Sequence, residues 1–330
     1  MNAFAAVVLF IGVIAYAVFG GADYGAGFWD LTAGGAERGR EPRHLIDLSL
    51  APVWEANHVW LIFCLVMLWT AFPTAFAAIM TTLYVPLGLT ALGIVVRGSG
   101  FAFRKVFVRT DQQRVVGAAF ALSSVLTPFF LGTVAGGLAS GRVPTAGHGD
   151  PLTSWLNPTS LLGGVVAVLA CAFTAAVFLT AEARRRDEPE MEEWFGHRAQ
   201  LTAVVTGVVA LAGIGVLLAD APRLFGNLLG RALPLVILSG LCGLGSLLLL
   251  RRLSPRLVQV LAVTATAAIV AGWGVAQYPY LLGTHLSIDA AAAPRSTLWA
   301  LTVVAVAAVL LVVPSVGLLF TLAQRGRLEG

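Results

Sequence analysis

Charge is what this sequence has least of. Only 12% of its 330 residues are Asp, Glu, Lys or Arg, against roughly 25% in an ordinary soluble domain. A chain so poor in charge, 58% hydrophobic and with a mean hydropathy of +0.86, has the wrong surface for water, which excludes a soluble globular protein. Period-two alternation of apolar and polar residues is also lacking, and this excludes a β-barrel as the membrane-crossing element. The N-terminus, MNAFAAVVLF, has no basic segment of the kind that opens a cleavable signal, so the first hydrophobic run is expected to be a retained helix. Cysteines are few: Cys64, Cys171 and Cys242 lie within apolar runs and share no metal-ligand spacing. They read as small packing residues rather than as a disulfide or a cluster.

What the sequence does have is long apolar runs. A helix needs about 20 mostly apolar residues to cross the hydrocarbon layer. Nine runs meet that length, at about 3–22, 53–71, 75–97, 115–138, 159–181, 200–219, 233–250, 257–277 and 298–322. The expectation is an all-α, polytopic membrane protein with about nine transmembrane helices. A polar, Gly- and Pro-containing loop at 139–158 divides the chain. It suggests a first four-helix bundle over 1–138, a second over 159–277, and a ninth helix at 298–322. Asn157-Pro158 reads as a helix start, Asn as the cap and Pro at the first helical position, and Pro52 is given the same role.

The basic residues sort by loop. Arg38, Arg40 and Arg43; Arg97, Arg104, Lys105, Arg109 and Arg114; Arg184, Arg185, Arg186 and Arg198; Arg251, Arg252 and Arg256; and Arg325 and Arg327 all fall on one side, 17 of the 21. The other side has Arg142, Arg223, Arg231 and Arg295. The positive-inside rule then puts the N-terminus outside and the C-terminus in the cytoplasm of a multi-pass cell-membrane protein. A pI near 9.3 follows from this sorting and gives no reason to invoke nucleic acid. The mixed-sign stretch from Glu182 to Glu193 reads as a solvated cytoplasmic loop.

Polar groups inside the spans are informative, because a charge at the bilayer centre costs roughly 2.5–3.5 kcal/mol or more. Gly20-Gly21-Ala22-Asp23-Tyr24-Gly25-Ala26-Gly27 ends the first span, and its Gly21–Gly25 spacing permits close helix approach. Pro52-Val53-Trp54-Glu55-Ala56-Asn57-His58-Val59-Trp60 opens the second span on the same side. Glu55 and His58 share a helix face, the spacing of a carboxylate-bridged di-iron ligand pair. Such a centre needs a second Glu-x-x-His pair, which the spans lack, so no metal site is expected. Asp23, Glu55 and His58 are instead candidates for a proton path, since a partly desolvated carboxylate can exchange protons near neutrality. Hydrogen-bonded structural groups are the equal alternative. His285, in the loop after Tyr278-Pro279-Tyr280, reads as a surface residue.

The same segments resemble subunit II of cytochrome bd quinol oxidases, over nearly the whole chain. Gly21-Ala22-Asp23-Tyr24-Gly25-Ala26-Gly27 is similar to the family's Gly-Phe-Asp-x-Gly-x-Gly, and Pro52-Val53-Trp54-Glu55-Ala56-Asn57-His58-Val59-Trp60-Leu61-Ile62 to its Pro-x-Trp-Asp-Gly-Asn-x-Val-Trp-Leu-Ile. Ala71-Phe72-Pro73, Arg97, Leu156-Asn157-Pro158 and the Tyr278-Pro279 loop also fit. Glu55 and Ala56 stand where the family has Asp and Gly, and Ala22 where it has Phe. The resemblance implies a heterodimer with a haem-bearing subunit I, which carries b- and d-type or b-only haems, oxidises quinol and reduces dioxygen to water. It implies no catalytic residue and no firmly held cofactor here, although a structural quinone is known in some members and small accessory subunits join some complexes. Carried over by position, Asp23 and Glu55 would serve proton uptake from the cytoplasm, with Trp54, Asn57 and Arg97 supporting them. A secondary transporter and a purely structural membrane scaffold are the rival readings. Charge-poor span centres and acids gathered at one face argue against the transporter.

Overall fold

The computed structural model describes residues 1–35, 37–50, 54–104, 110–146, 148–250, 252 and 254–324, with side chains at all of these except 50, 54–56, 101, 103, 104, 110–114, 309, 312, 313 and 316–324. Helix dominates because backbone polar groups in hydrocarbon must be satisfied within their own segment. The chain opens with one continuous rod, Asn2–Thr32. It is built from α1 (Asn2–Ala15), a π-helical turn (Tyr16–Gly20) and α2 (Gly21–Thr32). There follow α3 (Arg40–Leu50), α4 (Trp54–Ala71), α5 (Pro73–Thr82), α6 (Tyr84–Arg104), α7 (Thr110–Ala139), α8 (Pro158–Arg185), α9 (Pro189–Asp220), α10 (Pro222–Leu229), α11 (Leu233–Leu249) and α12 (Pro255–Gln277). A small antiparallel hairpin, β1 (Tyr280–Leu282) and β2 (Leu286–Ser287), leads through α13 (Ile288–Ala291) to α14 (Arg295–Gln324).

Among the described residues, five helices are long and apolar enough to cross a membrane, or up to seven if each of two bent pairs is one span. The nine apolar runs therefore do not map one to one onto straight spans. The run beginning at 75 is divided between α5 and α6, and α4 meets α5 at a bend of 118°. Pro73 causes the break: without an N–H it can only start a helix, and it is the first residue of α5. A second bend, of 77°, separates α10 from α11. The charged stretch after Glu182 is mostly helix rather than loop. α8 runs to Arg185, α9 starts at Pro189, and Asp187 at φ 57° makes the turn. Ion pairs Arg184–Glu192 (2.5 Å) and Arg186–Glu182 (2.7 Å), with Arg185–Glu182, hold these helix ends beyond the apolar run. Asn157 behaves as expected, its side chain accepting the Ser160 N–H at 2.9 Å one residue before Pro158 opens α8. Pro52 lies outside the described residues.

Close helix approach sets the packing. A Cβ on Gly25 would sit 1.9 Å from the Cys171 carbonyl oxygen, and one on Gly27 would sit 2.3 Å from Ser124. α2 is thus wedged between α7 and α8 on a glycine face, as the Gly21–Gly25 spacing anticipates. Around this wedge Trp29, Leu45, Ile46, Phe120, Ala172, Phe195 and Ala199 form one buried core, and Trp29 Nε1 donates to the Ala172 carbonyl at 2.8 Å. A separate core gathers Phe72, Leu83, Val143, Trp155 and Leu282. The contacts respect the charge sorting. Arg43 pairs with Asp30, and Arg198 stacks on Trp194 and Trp29, all at one end. Asn2 donates to Asp289 and Arg142 pairs with Asp220 at the other.

Candidate functional site

The polar centre of the first half is an ion pair built on three helices. Asp23 lies nine residues before the end of the Asn2–Thr32 rod, and Arg97 seven before the end of α6. Both side chains are 2% exposed. Arg97 Nη2 donates to Asp23 Oδ1 at 2.7 Å and to the Asp23 carbonyl at 3.2 Å, while Nε donates to Ser124 Oγ on α7 at 3.0 Å. The Ser124 hydroxyl in turn donates a hydrogen bond to the Phe120 carbonyl at 2.7 Å. The guanidinium carbon sits 4.9 Å from the Tyr24 ring centroid and 5.1 Å from that of Phe120, so the cation is clasped between two aromatic faces. A charge this deep is tolerable only when paired and hydrogen-bonded. Asp23 Oδ2 is buried and has no hydrogen-bond partner among the described residues.

A second layer lies against Tyr24. Its hydroxyl is 3.0 Å from that of Tyr16, and its ring meets the His58 imidazole edge-on at 6.4 Å between centroids. Tyr16 begins the π-helical turn. Within that turn the Phe19 carbonyl accepts from Asn57 Nδ2 at 3.2 Å, which fastens α4 to the first rod beside the ion pair.

The structure thus brings Asp23, Arg97, Asn57 and His58 into one region. Trp54 and Glu55 belong to α4, but their side chains lie outside the described residues. Arg97, expected where the third run ends, is inside α6 and touches Asp23 directly. Ser124, Phe120, Tyr16 and Tyr24 are members of the cluster that sequence reading missed. The available signal was Arg97 itself, an arginine embedded in Ile94-Val95-Val96 that requires a carboxylate at its own depth. Among the described residues, no three His, Cys, Asp or Glu side chains come together as metal ligands. His285 is exposed at the opposite end, in a cleft described below.

Comparison with known proteins places the chain in a lineage. The family model for cytochrome bd terminal oxidase subunit II matches residues 1–323. Subunit 2 of the cytochrome bd-I ubiquinol oxidase of Escherichia coli (strain K12) is 31% identical over 221 residues, covering 63% of this chain and 56% of that one. Subunit 2 of the cytochrome bd ubiquinol oxidase of Bacillus subtilis (strain 168) is 30% identical over 176 residues, covering 52% of this chain and 50% of that one. The chain thus spans about half the length of the curated relatives it matches. In fold it is similar to a chain of the bd oxidase of Geobacillus thermodenitrificans, with a TM-score of 0.76, 24% identity, and coverage of 97% and 98% of the two chains. On the match across residues 1–323, the chain belongs to the cytochrome bd terminal oxidase subunit II family.

Proposed function

We propose that the chain is the second, haem-poor subunit of a bd-type quinol oxidase. It packs against the haem-bearing subunit I, keeps that subunit folded in the membrane, and lends carboxylates to proton uptake from the cytoplasm. The haems, carried by the partner, supply electron transfer and the reduction of dioxygen to water; quinol reaches the chain only through the complex. A structural quinone and small accessory subunits belong to the same reading without residues assigned to them. With the N-terminus outside, Asp23 and Glu55 stand toward the side from which protons for water formation are drawn.

The observation that carries the proton role is the state of the Asp23 carboxylate. Arg97 holds one oxygen at 2.7 Å, and the other is buried without a hydrogen-bond partner among the described residues. A buried carboxylate oxygen can accept from water or from a proton donor on a neighbouring group. Arg97 orients the Asp23 carboxyl group, and Asn57 and Ser124 fix the helices that carry the pair. Glu55, one helical turn before His58, is the entry-side carboxylate of the reading.

Asp23→Asn and Glu55→Gln test it in complexes reconstituted into vesicles. Quinol-driven oxygen consumption and proton uptake should fall together, by about a hundredfold or more, the low end of what a positioned proton carrier contributes (~10²–10⁴). Unchanged rates in assembled complexes would leave the scaffold reading. One observation favours that second reading: Arg97 on α6 bonds both Asp23 on α2 and Ser124 on α7. On it, the variants lower the amount of complex and not its turnover.

A further inference from the structure

At the end of the molecule opposite Asp23, a polar cleft of about 220 Å³ opens between the last turn of α7, the α9–α10 junction and the loop after α12. Arg223, Arg231, Asn227, Gln277, Tyr280 and His285 line it. Asp220 is the one carboxylate on its wall, and it is already engaged. Arg142 donates to its two oxygens at 2.5 and 3.1 Å, and Thr159 donates through Oγ1 at 2.6 Å and its backbone N–H at 3.1 Å. Arg223 and Arg231 are exposed and form no ion pair among the described residues. Arg223 is steadied by the Tyr280 ring, 5.3 Å from its guanidinium carbon. The cleft therefore carries a net positive charge with no acid left to meet it.

Three of the four basic residues at this end meet around the cleft, two on its wall and one on its acid. The space is too small for a drug-sized ligand, whose pockets begin at about 300 Å³. It suits a tetrahedral anion that two guanidinium groups can grip. The flanks are those of a lipid site. α10 crosses the helix ends at 77° to α11, and Leu211 and Leu218 on α9 and Val236 and Ile237 on α11 are exposed apolar residues. We propose that this cleft binds the phosphate of an anionic membrane phospholipid, gripped by Arg223 and Arg231, with the acyl chains lying along α9 and α11.

The complex purified in mild detergent would be exchanged into bicelles of phosphatidylcholine containing phosphatidylglycerol, then stripped, and the retained lipid counted by native mass spectrometry. Wild type should keep phosphatidylglycerol over phosphatidylcholine. R223Q/R231Q should lower the retained phosphatidylglycerol at least tenfold, and R223K/R231K should restore most of it. If R223Q/R231Q does not assemble, R231Q alone is read, with a threefold loss expected. Retention equal to wild type in the glutamine variants overturns the proposal, as does equal retention of phosphatidylcholine. A site filled by millimolar inorganic phosphate in wild type, without phosphatidylglycerol retention, also overturns the lipid assignment.

Discussion

At the scale of single residues, the Asp23–Arg97 pair is the most consequential contact. Removing one member of a buried pair strands the other charge, at about 3–5 kcal/mol. Arg97→Leu should therefore lower the melting temperature and the yield of the protein sharply, while Asp23→Leu/Arg97→Leu should recover much of the loss. Equal damage in the single and double variants would show that the hydrogen bond to Ser124 and the aromatic clasp, not charge balance, dominate. The glycines admit a similar contrast. Gly25→Ala places a methyl 1.9 Å from the Cys171 carbonyl, where backbone must move. Destabilisation should reach the upper end of the about 1–3 kcal/mol typical of overpacking. Gly207→Ala on α9 meets nothing within 4 Å, and should be neutral or stabilising by up to about 1 kcal/mol through helix propensity. Paired melting curves in one detergent decide both. Asp23, the Gly21–Gly25 seam and Asn57 were legible in sequence because each breaks an apolar run. Tyr24, Phe120 and Ser124 were not, because aromatic and small residues are ordinary in a span and only the fold puts them around a cation.

At the scale of elements, helix ends depart most from the sequence expectation. Hydropathy marks where apolar side chains stop, whereas helices continue while their hydrogen bonds and surface ion pairs hold. α8 and α9 accordingly run into the charged stretch between Glu182 and Glu193. The start of α8 was readable because Asn-Pro is a local chemical signal that does not depend on tertiary context. Asn157→Ala should destabilise by about 1 kcal/mol through the lost cap, measurable as earlier proteolysis of the 139–158 loop. In that loop, backbone N–H groups of Thr153 and Leu152 hold the Asp150 carboxyl below the usual carboxylate range. A depressed folded-state pKa contributes stability that is complete above the unfolded value and is lost as pH falls through the folded one. Amide exchange at Leu152 and Thr153, corrected for intrinsic rates, should thus be unchanged between pH 5 and 8 in wild type. Asp150→Ala should accelerate it at every pH in that window.

At the scale of the whole molecule, the distribution of arginine is an argument about orientation that the packing makes sharper. Arg43 with Asp30, Arg184 with Glu192 and Arg198 with Trp194 gather at one end. Asn2 with Asp289 and Arg142 with Asp220 gather at the other. The two groups never mix among the described residues, so a single orientation fixes both. The positive-inside rule reads the first end as cytoplasmic. Ala146→Cys and Asp187→Cys, both at exposed positions, test it with a membrane-impermeant thiol reagent, since Cys64, Cys171 and Cys242 lie within helices. Ala146→Cys should be labelled in intact cells and Asp187→Cys only after permeabilisation. The reverse pattern would put the end nearer Asp23 outside. On the proposed function, a carboxylate there would draw protons from the wrong side of the membrane. The orientation and the proton reading therefore stand or fall together, while the Asp23–Arg97 pair as a pin between helices is indifferent to both.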